Sequence, residues 1–328
     1  MLFKKVIGNQ NIKELFSKAL SAKQLGNAYL FSGTDGIGKK LFAIELAKAI
    51  NCLNPGQSLP CNNCINCTRI ENMNYPDFLL IEPESNQIKI LQIRTLIKET
   101  NYLPVEANKR VVIIDNAHLM NASSANTFLK TLEDSSEHSI FILITSALHA
   151  LPETILSRCQ IIKFSPLSNQ EICEILKNKN LTYDLNLISN LASGSVTNAI
   201  KLTNKFNTAL INEFYTKFNE LSLSQTNKIF EFTDYLGEKF SDLTDILIIF
   251  KIFFLDVIRF KLKQEPKLYN SNEQDFFNYQ KVIGSFASKT PLSVTFKKFN
   301  ALNNLEKQLT FNINKKLATE NLVLELVP

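Results

Sequence analysis

The stretch Gly33-Thr-Asp-Gly-Ile-Gly-Lys-Lys40 decides the fold of this chain. It follows an apolar run, Ala28–Ser32, that predicts a β-strand, and it opens a segment with helical spacing, Lys39–Ile50. Glycines let backbone N–H groups point at an anion, and the helix N-terminus adds positive potential. The pattern therefore predicts a phosphate-binding loop with Lys39 in reach of the phosphates. The glycines that shape the turn are Gly33, Gly36 and Gly38.

The final position of this loop departs from the phosphate-binding pattern, because Lys40 takes the place of a serine or threonine. That hydroxyl normally ligates Mg²⁺, whereas an ammonium repels the metal. Two interpretations remain open at this point: the loop binds nucleotide weakly, or it is kept for its tight turn and its packing on the sheet. We expect weak or no productive ATP binding, no bound Mg²⁺ and no efficient hydrolysis.

A second apolar run, Arg110–Asp115, ends in a carboxylate and predicts a buried central strand. Behind a phosphate-binding loop, the carboxylate of Asp115 would support the metal ion; the alternative is that Asp115 caps a loop. The next residue is Asn116, which cannot accept a proton at neutral pH as a catalytic base does. Metal support and the base are therefore both compromised in the same chain.

The remainder of the first half alternates short apolar runs with helical spacing, which predicts a parallel sheet flanked by helices. After Ser165-Pro166 the runs give way to helical segments at 168–178, 184–192 and 195–206, and no strand pattern follows residue 209. We therefore predict three parts along the chain. They are an α/β domain at 1–165, a small helical domain at 166–208 and an all-α domain at 209–328.

The composition is that of an ordinary globular protein, since 45% of the 328 residues are hydrophobic and 20% are charged. No run of about 18 apolar residues predicts a membrane span, and the start becomes polar too soon for a signal peptide. The formal net charge of +5 is mild and its basic residues are scattered, so no block predicts a nucleic-acid tract. We expect a cytoplasmic protein without membrane association.

Four of the six cysteines lie close together in the sequence, at Cys52, Cys61, Cys64 and Cys67. In a cytosolic chain such a cluster indicates a metal before disulfides. Zn²⁺ favours four thiolates in a closed tetrahedral set, and a site with no open position is structural. The alternative is an iron–sulfur cluster. The insert at 52–67 is too short and polar to fold on apolar burial, so metal binding would supply its folding energy.

The turn Ser157-Arg158-Cys159 lies between two predicted strands, at the end of a short segment with helical spacing. An arginine at such a turn is in most proteins a solvated side chain, and Cys159 is best interpreted as a small packed core residue. A planar, permanently charged guanidinium can nevertheless stabilise a phosphoryl group in transfer. The turn by itself leaves both interpretations open.

Six features, in their order and spacing, resemble the clamp-loader subunits of bacterial DNA polymerase III, the gamma/tau and delta-prime proteins. They are Ala28–Gly33, the glycine loop, the four-cysteine insert, Asp115, Leu129–Glu133 and Ile155–Cys159. The resemblance is strong over residues 5–165, weaker over 166–206, and rests beyond them on helical character and on the ending Asn314–Leu326. It implies an AAA+ protein: a RecA-like core of the P-loop NTPase fold with a zinc module, a small helical lid and an all-α collar.

The resemblance also implies roles for particular residues. Thr145 matches the sensor-1 position, where it could touch a γ-phosphate. Gly194–Thr197 matches a sensor that carries an arginine in the gamma/tau motor, and Thr197 stands in its place here. Arg158 corresponds to an arginine finger that acts in trans. Delta-prime members of the family lose their own nucleotide site yet keep this arginine, and this chain has the same pattern.

A delta-prime-type subunit would be a stator that assists ATP-dependent loading of the sliding clamp on primed DNA. The implied partners are gamma/tau and delta, with the clamp and primer–template DNA contacted through the complex. Such a chain would belong to a DNA-directed DNA polymerase holoenzyme, near the nucleoid, without ATPase activity of its own. One alternative is a catalytically active gamma/tau-like ATPase. A zinc-dependent DNA-binding module is the other, and the scattered charge disfavours it.

Overall fold

The computed structural model describes residues 3–54, 59–133, 138–177, 185, 188–189, 192–205, 208–240, 242–263, 273–308 and 315–327. The chain divides into two compact units. The first comprises residues 1–175 and 192–198, and the second comprises residues 176–191 and 199–328. The three-part division at 1–165, 166–208 and 209–328 stays a prediction. The predicted helix at 184–192 lies mostly outside the described residues.

The described part of the first unit contains a five-stranded sheet in which every neighbouring pair is parallel, in the order β2-β3-β4-β1-β5. Every residue of β3 and β4 is buried, as the apolar runs predict for strands that are covered on both faces. The predicted parallel α/β sheet is therefore confirmed. The strands are β1 (Ala28–Ser32), β2 (Phe78–Ile81), β3 (Arg110–Ile114), β4 (Ser139–Thr145) and β5 (Gln160–Lys163).

Helices cover the two faces of this sheet. Side chains alternate between the faces along a strand, so Val111 and Ile113 enter one apolar cluster while Val112 and Ile114 enter the other. The first cluster includes residues of α1, α2 and α3, and the second includes residues of α4, α5 and α6. These helices are α1 (Gln10–Ser21), α2 (Lys39–Ile50), α3 (Ile65–Glu71), α4 (Ile90–Thr100), α5 (Ala122–Glu133) and α6 (Glu153–Leu156).

A buried ion pair between Asp77 and Arg110 ties the loop after α4 to the sheet, with Arg110 Nη2 at 3.0 Å from Asp77 Oδ1. The Arg110 guanidinium also donates to the carbonyl oxygens of Glu99, Tyr102 and Leu103. The Asp77 carboxylate accepts from the backbone N–H groups of Val105, Glu106 and Ala107. The loop is thus held rigidly although its apolar side chains are exposed, namely Tyr102, Leu103 and Val105.

The described part of the second unit is helical, which confirms the predicted all-α character of the C-terminal region. Its core is aromatic: the Phe253 ring lies 5.1 Å from Phe218 and 4.9 Å from Phe286, both edge-on. No helix in the described ranges is long and apolar enough to cross a membrane. The helices after β5 are α7 (Asn169–Lys177), α8 (Val196–Lys205), α9 (Thr208–Asn219), α10 (Thr226–Lys239), α11 (Leu243–Lys261), α12 (Glu273–Lys289), α13 (Leu292–Gln308) and α14 (Lys315–Leu326).

Candidate functional site

The glycine loop connects β1 to α2, with both element boundaries where the sequence predicts them. Gly36 and Gly38 have φ angles of +75° and +91°, in the left-handed region that favours glycine. The loop lies at the carboxyl edge of the sheet, because the Gly33 N–H donates to the carbonyl oxygen of Thr145, the last residue of β4. This edge is where parallel α/β sheets bind ligands.

The loop lysine, Lys39, is turned back onto its own loop. Its ammonium donates to the carbonyl oxygens of Gly33 and Thr34, each at 2.6 Å, and its side chain is only 6% exposed. Burial lowers the pKa of Lys39, and the charges of Asp35 and Asp115 oppose this shift. A phosphate bound at the loop would have to draw Lys39 away from these carbonyl oxygens.

Lys40, which takes the place of the metal-binding hydroxyl, contacts the carboxylate predicted to support the metal. Its Nζ lies 3.4 Å from Asp115 Oδ2 and 2.5 Å from Glu82 Oε1. Burial alone would lower the pKa of Lys40, but the hydrogen bond to Glu82 and the negative charge of Asp115 raise it. The ammonium therefore stays charged at neutral pH and occupies the surroundings of a cation. Lys40 therefore does more than repel a metal ion, because it also forms ion pairs with Glu82 and Asp115.

Sequence reasoning missed Glu82 as a member of this cluster. Glu82 follows β2 and Asp115 follows β3, and the two strands are paired in parallel with Ile81 opposite Ile114. The residues after the two strands therefore meet at one edge. The sequence shows a carboxylate at the end of a predicted strand, but it does not show which strand lies beside that one in the sheet.

Asp115 and Asn116 directly follow β3, at the same edge of the sheet. The Asp115 carboxylate faces Lys40 and also accepts the Asn116 N–H at 3.0 Å, so it caps the loop that follows, while its role toward a metal stays a prediction. Asn116 has φ +50°, a left-handed conformation that asparagine adopts more readily than most residues. The local backbone thus accounts for an asparagine where an active site of this kind would need a carboxylate base.

Thr145 lies at the same edge, fully buried, with its hydroxyl already engaged. The hydroxyl accepts the Ala147 N–H at 3.1 Å and lies 3.2 Å from Nδ1 of His118. A γ-phosphate would have to compete with these partners for the Thr145 hydroxyl.

The turn at Gly194–Thr197 packs directly on the glycine loop, within the same compact unit. The Val196 N–H donates to the Gly36 carbonyl oxygen at 2.8 Å. A Cβ added to Gly36 would lie 2.4 Å from Ser195 Oγ and 2.6 Å from Thr197 Oγ1. The turn thus brings the hydroxyl groups of Ser195 and Thr197 against the loop, and its correspondence to a sensor stays a prediction.

The cysteines predicted as ligands, Cys52, Cys61, Cys64 and Cys67, come together with all four Sγ atoms within 4.8 Å of one another. Cys61 Sγ and Cys67 Sγ are 3.9 Å apart. Four sulfurs at about 2.3 Å from a tetrahedral zinc ion would be about 3.8 Å apart, so the set matches one ion. In a polynuclear iron–sulfur cluster the four thiolates are divided among two or more irons, and sulfurs on different irons must stand further apart. The geometry therefore fits a single metal ion.

The thiol cluster is organised by the backbone around α3, a helix that the sequence analysis did not predict. Cys64 is the residue before α3 and Cys67 lies in its first turn. The backbone N–H groups of Asn63 and Cys64 lower the pKa of Cys61 to about 6, whereas burial raises the pKa of Cys52 and of Cys67. Thiolate is the form that binds a metal.

Arg158 lies on the surface between α6 and β5, and its hydrogen bonds to described residues are not made to the glycine loop. Its Nη2 donates to Glu133 Oε1 at 2.5 Å and its Nη1 to the Thr154 carbonyl oxygen at 3.0 Å. The side chain is 36% exposed. The neighbouring Cys159 is buried, as predicted for a small packed core residue, and burial raises its pKa to about 12.

Comparison with known proteins places these sites in a family. Residues 8–168 match a family model described as "DNA polymerase III, delta subunit". The gamma subunit of DNA polymerase III from Buchnera aphidicola subsp. Schizaphis graminum is 31% identical, covering 99% of this chain and 95% of that protein. The delta-prime subunit from Bacillus subtilis is 32% identical, covering 96% and 95%. A gamma subunit-related structure from Thermotoga maritima covers 94% of this chain and 97% of its own, with 16% identity and a TM-score of 0.46.

The relatives match over nearly the full length of both chains, so the similarity is not confined to the glycine loop or the cysteine insert. The parallel sheet, the loop between β1 and α2 and the helical C-terminal region confirm the predicted AAA+ architecture. The chain belongs to the DNA polymerase III clamp-loader subunit family that includes the delta-prime, gamma and tau proteins.

Proposed function

We propose that this chain is a delta-prime-type clamp-loader subunit that does not hydrolyse ATP and lends an arginine to the ATP site of a neighbour. The observation that carries the proposal is the Lys40 ammonium bound to Glu82 and Asp115. A motor subunit needs a metal ion at this place to neutralise the charge that develops on the phosphates. Here the Lys40 ammonium already pairs with the carboxylates, so they are not available as ligands for a metal ion.

Two further features support the absence of hydrolysis. Asn116 supplies no carboxylate base to orient the attacking water, and its left-handed backbone suits an asparagine. Thr197 contributes a hydroxyl group rather than a guanidinium at the turn that packs on the loop. Cation, base and sensor are thus all replaced, while the fold of the nucleotide-binding core is retained.

Arg158 is the residue of this chain that we assign to the ATP site of a neighbouring subunit. It is exposed and carries a planar guanidinium, and it lies on a short helix–strand turn rather than on a long flexible loop. An arginine that completes a phosphoryl-transfer site in trans is worth roughly 10³–10⁵ in rate. The chain would therefore act on ATP that is bound to another protein.

The partners in this proposal are gamma/tau and delta subunits, with the sliding clamp and primer–template DNA reached through the complex. Relatives named as gamma, tau and delta-prime subunits support such an assembly. Residues 209–328 would form the collar and residues 166–208 the lid. The chain would work in the cytoplasm at the replisome, as a subunit of the polymerase holoenzyme.

We further propose that the thiol cluster holds one structural Zn²⁺, because four thiolates around a single ion leave no open position for catalysis. Metal analysis of the purified chain should give about one zinc per chain. Cys67→Ser should lose the metal, whereas Cys159→Ser, which changes a buried thiol outside the cluster, should keep it. Iron in place of zinc, or metal retained by Cys67→Ser, would overturn this assignment.

The central test is Arg158→Ala in a loader reconstituted from wild-type gamma/tau, delta, clamp and primed DNA. DNA-stimulated ATPase should fall strongly while the complex still assembles, because a trans-acting group is lost. Arg69→Ala is the matched control: Arg69 is similarly exposed and its Nη1 lies 2.6 Å from Glu106. Equal ATPase in the wild type and Arg158→Ala would remove the finger assignment.

The alternative is a catalytically active gamma/tau-like ATPase, which the similarity to a gamma subunit over 95% of that protein keeps in view. It predicts brisk turnover of ATP with Mg²⁺ by the isolated chain. Our proposal predicts background turnover under the same conditions. Motor-like rates from the purified chain would therefore reverse the proposed function.

A further inference from the structure

The surface arginine Arg158 is held by a partner on another helix. Glu133 is the last residue of α5, and its Oε1 accepts from Arg158 Nη2 at 2.5 Å. The pair is exposed, with 36% of the Arg158 side chain and 51% of the Glu133 side chain accessible to solvent. Exposed ion pairs of this kind add little to stability, so stability does not explain the contact.

Together with two contacts to its own turn, the contact with Glu133 holds the Nη1–Nη2 edge of the guanidinium. A guanidinium has five N–H donors, of which Arg158 directs three to its own chain: to Glu133, to the Thr154 carbonyl oxygen and to Ser157 Oγ. Among the described residues, the remaining two donors have no partner. A pair of donors on one planar group suits a phosphoryl oxygen presented from outside the chain.

The cost of using an arginine across an interface is largely the cost of ordering it. The side chain is long and has many rotamers, and fixing it at the moment of reaction opposes catalysis. A carboxylate that fixes the guanidinium beforehand removes part of this cost. Glu133 is the last residue of α5, and its neighbour Leu132 is buried in the core, so the carboxylate is carried by a packed element of the fold.

We propose that Glu133 is the positioning residue for Arg158, so that α5 orients the arginine for the ATP of the neighbouring subunit. This inference rests on the proposed function, since it needs Arg158 to act in trans. Glu133 does not touch the nucleotide in this scheme. It sets the direction of the guanidinium and thereby affects the rate of hydrolysis rather than the binding of ATP.

The test uses the reconstituted loader with Glu133→Ala, Glu133→Gln, Arg158→Ala and the double variant Glu133→Ala/Arg158→Ala. Glu133→Ala should lower kcat of the DNA-stimulated ATPase by about three- to tenfold at unchanged KM, because one ordered side chain is released. Glu133→Gln keeps an oxygen acceptor and should restore most of the rate. The double variant should match Arg158→Ala, because the carboxylate acts only through the arginine.

Glu106→Ala is the matched control, since Glu106 pairs with the exposed Arg69 in the same unit. It should leave kcat unchanged. A rise in kcat for Glu133→Ala would overturn the inference, because it would make the pair an inhibitory hold on the arginine. Unchanged kcat for Glu133→Ala beside a low kcat for Arg158→Ala would overturn the inference and leave the proposed function standing. No effect of Arg158→Ala would overturn both.

Discussion

Replacing Lys40 by serine tests whether an ammonium has taken the place of a metal ion. The change removes the charge that binds Glu82 and Asp115 and supplies the hydroxyl that phosphate-binding loops use for Mg²⁺. The two carboxylates would then face the loop without a counter-charge. We expect the site to acquire affinity for a divalent cation that the wild-type chain lacks.

The magnitude follows from the positions of the charges. A divalent ion bound to Asp115 would lie about 2 Å from its oxygen, and Lys40 Nζ lies 3.4 Å from Asp115 Oδ2, so ammonium and metal would be about 4 Å apart. Repulsion of a unit charge and a divalent ion at this distance is about 8 kcal/mol at an effective dielectric of about 20. Because Lys40 is 36% exposed, solvent screening reduces this to about 4 kcal/mol, or about 10³ in affinity.

Binding of Mn²⁺, a paramagnetic substitute for Mg²⁺, can be followed by the EPR signal of the free ion, with and without ATP. Lys40→Ser should bind Mn²⁺ about a thousandfold more tightly than the wild type. Lys89→Ser should not change the affinity, although Lys89 also pairs with a glutamate, Glu84, at 2.9 Å. Equal affinity in the wild type and Lys40→Ser would refute the idea that the ammonium excludes the metal. ATP turnover should stay at background, because Asn116 is still in place.

Further predictions concern the loops around this site. Gly36→Ala should raise the rate of amide hydrogen exchange in the 194–197 turn about tenfold, because its Cβ would overlap that turn; Gly38→Ala, which has no atom within 4 Å of an added Cβ, should change it much less. Arg110→Met should speed amide exchange in the loop after α4 about a hundredfold, since breaking a buried ion pair costs about 3 kcal/mol; unchanged exchange would contradict this. Burial would raise the pKa of Asp77, but three backbone N–H groups and Arg110 lower it below its ordinary value. The stabilisation by Asp77 is therefore present above about pH 4 and is lost only as the pH falls through the lowered pKa. A carboxyl ¹³C NMR titration of Asp77 should show this low midpoint, and a higher one in Arg110→Met.

The sequence alone predicted those helices and strands whose apolar pattern runs without interruption. β1 and α2 begin and end where the strand and helix patterns predict, since the glycine loop separates two periodicities sharply. The burial of β3 follows from its apolar run, which only a covered strand can accommodate. α3 was missed because its residues are mostly polar and its position depends on the thiol cluster, which holds Cys64 and Cys67 in place.

The sequence predicted which functional groups are replaced at this site, but it did not predict which side chains contact one another there. That Lys40 removes a hydroxyl is readable from the motif; that it binds Glu82 depends on β2 lying beside β3, which is a property of the sheet. The position of Glu133 beside Arg158 likewise needs α5 and the turn after α6 to be neighbours. The pattern identified both arginine and loop, and only the tertiary fold shows which side chains hold them.

The three replaced groups come from separate stretches of the chain: Lys40 from the start of α2, Asn116 from the end of β3 and Thr197 from the turn that rests on Gly36. A single mutation that restores one of them meets the other two unchanged, so it brings no gain on which selection could act. Under the proposed function, a return to an independent ATPase therefore requires coordinated changes at distant positions of the chain. Under the same proposal, descendants of such a gene are expected to drift further from catalysis at these positions, while the surface arginine stays under selection through the neighbouring subunit.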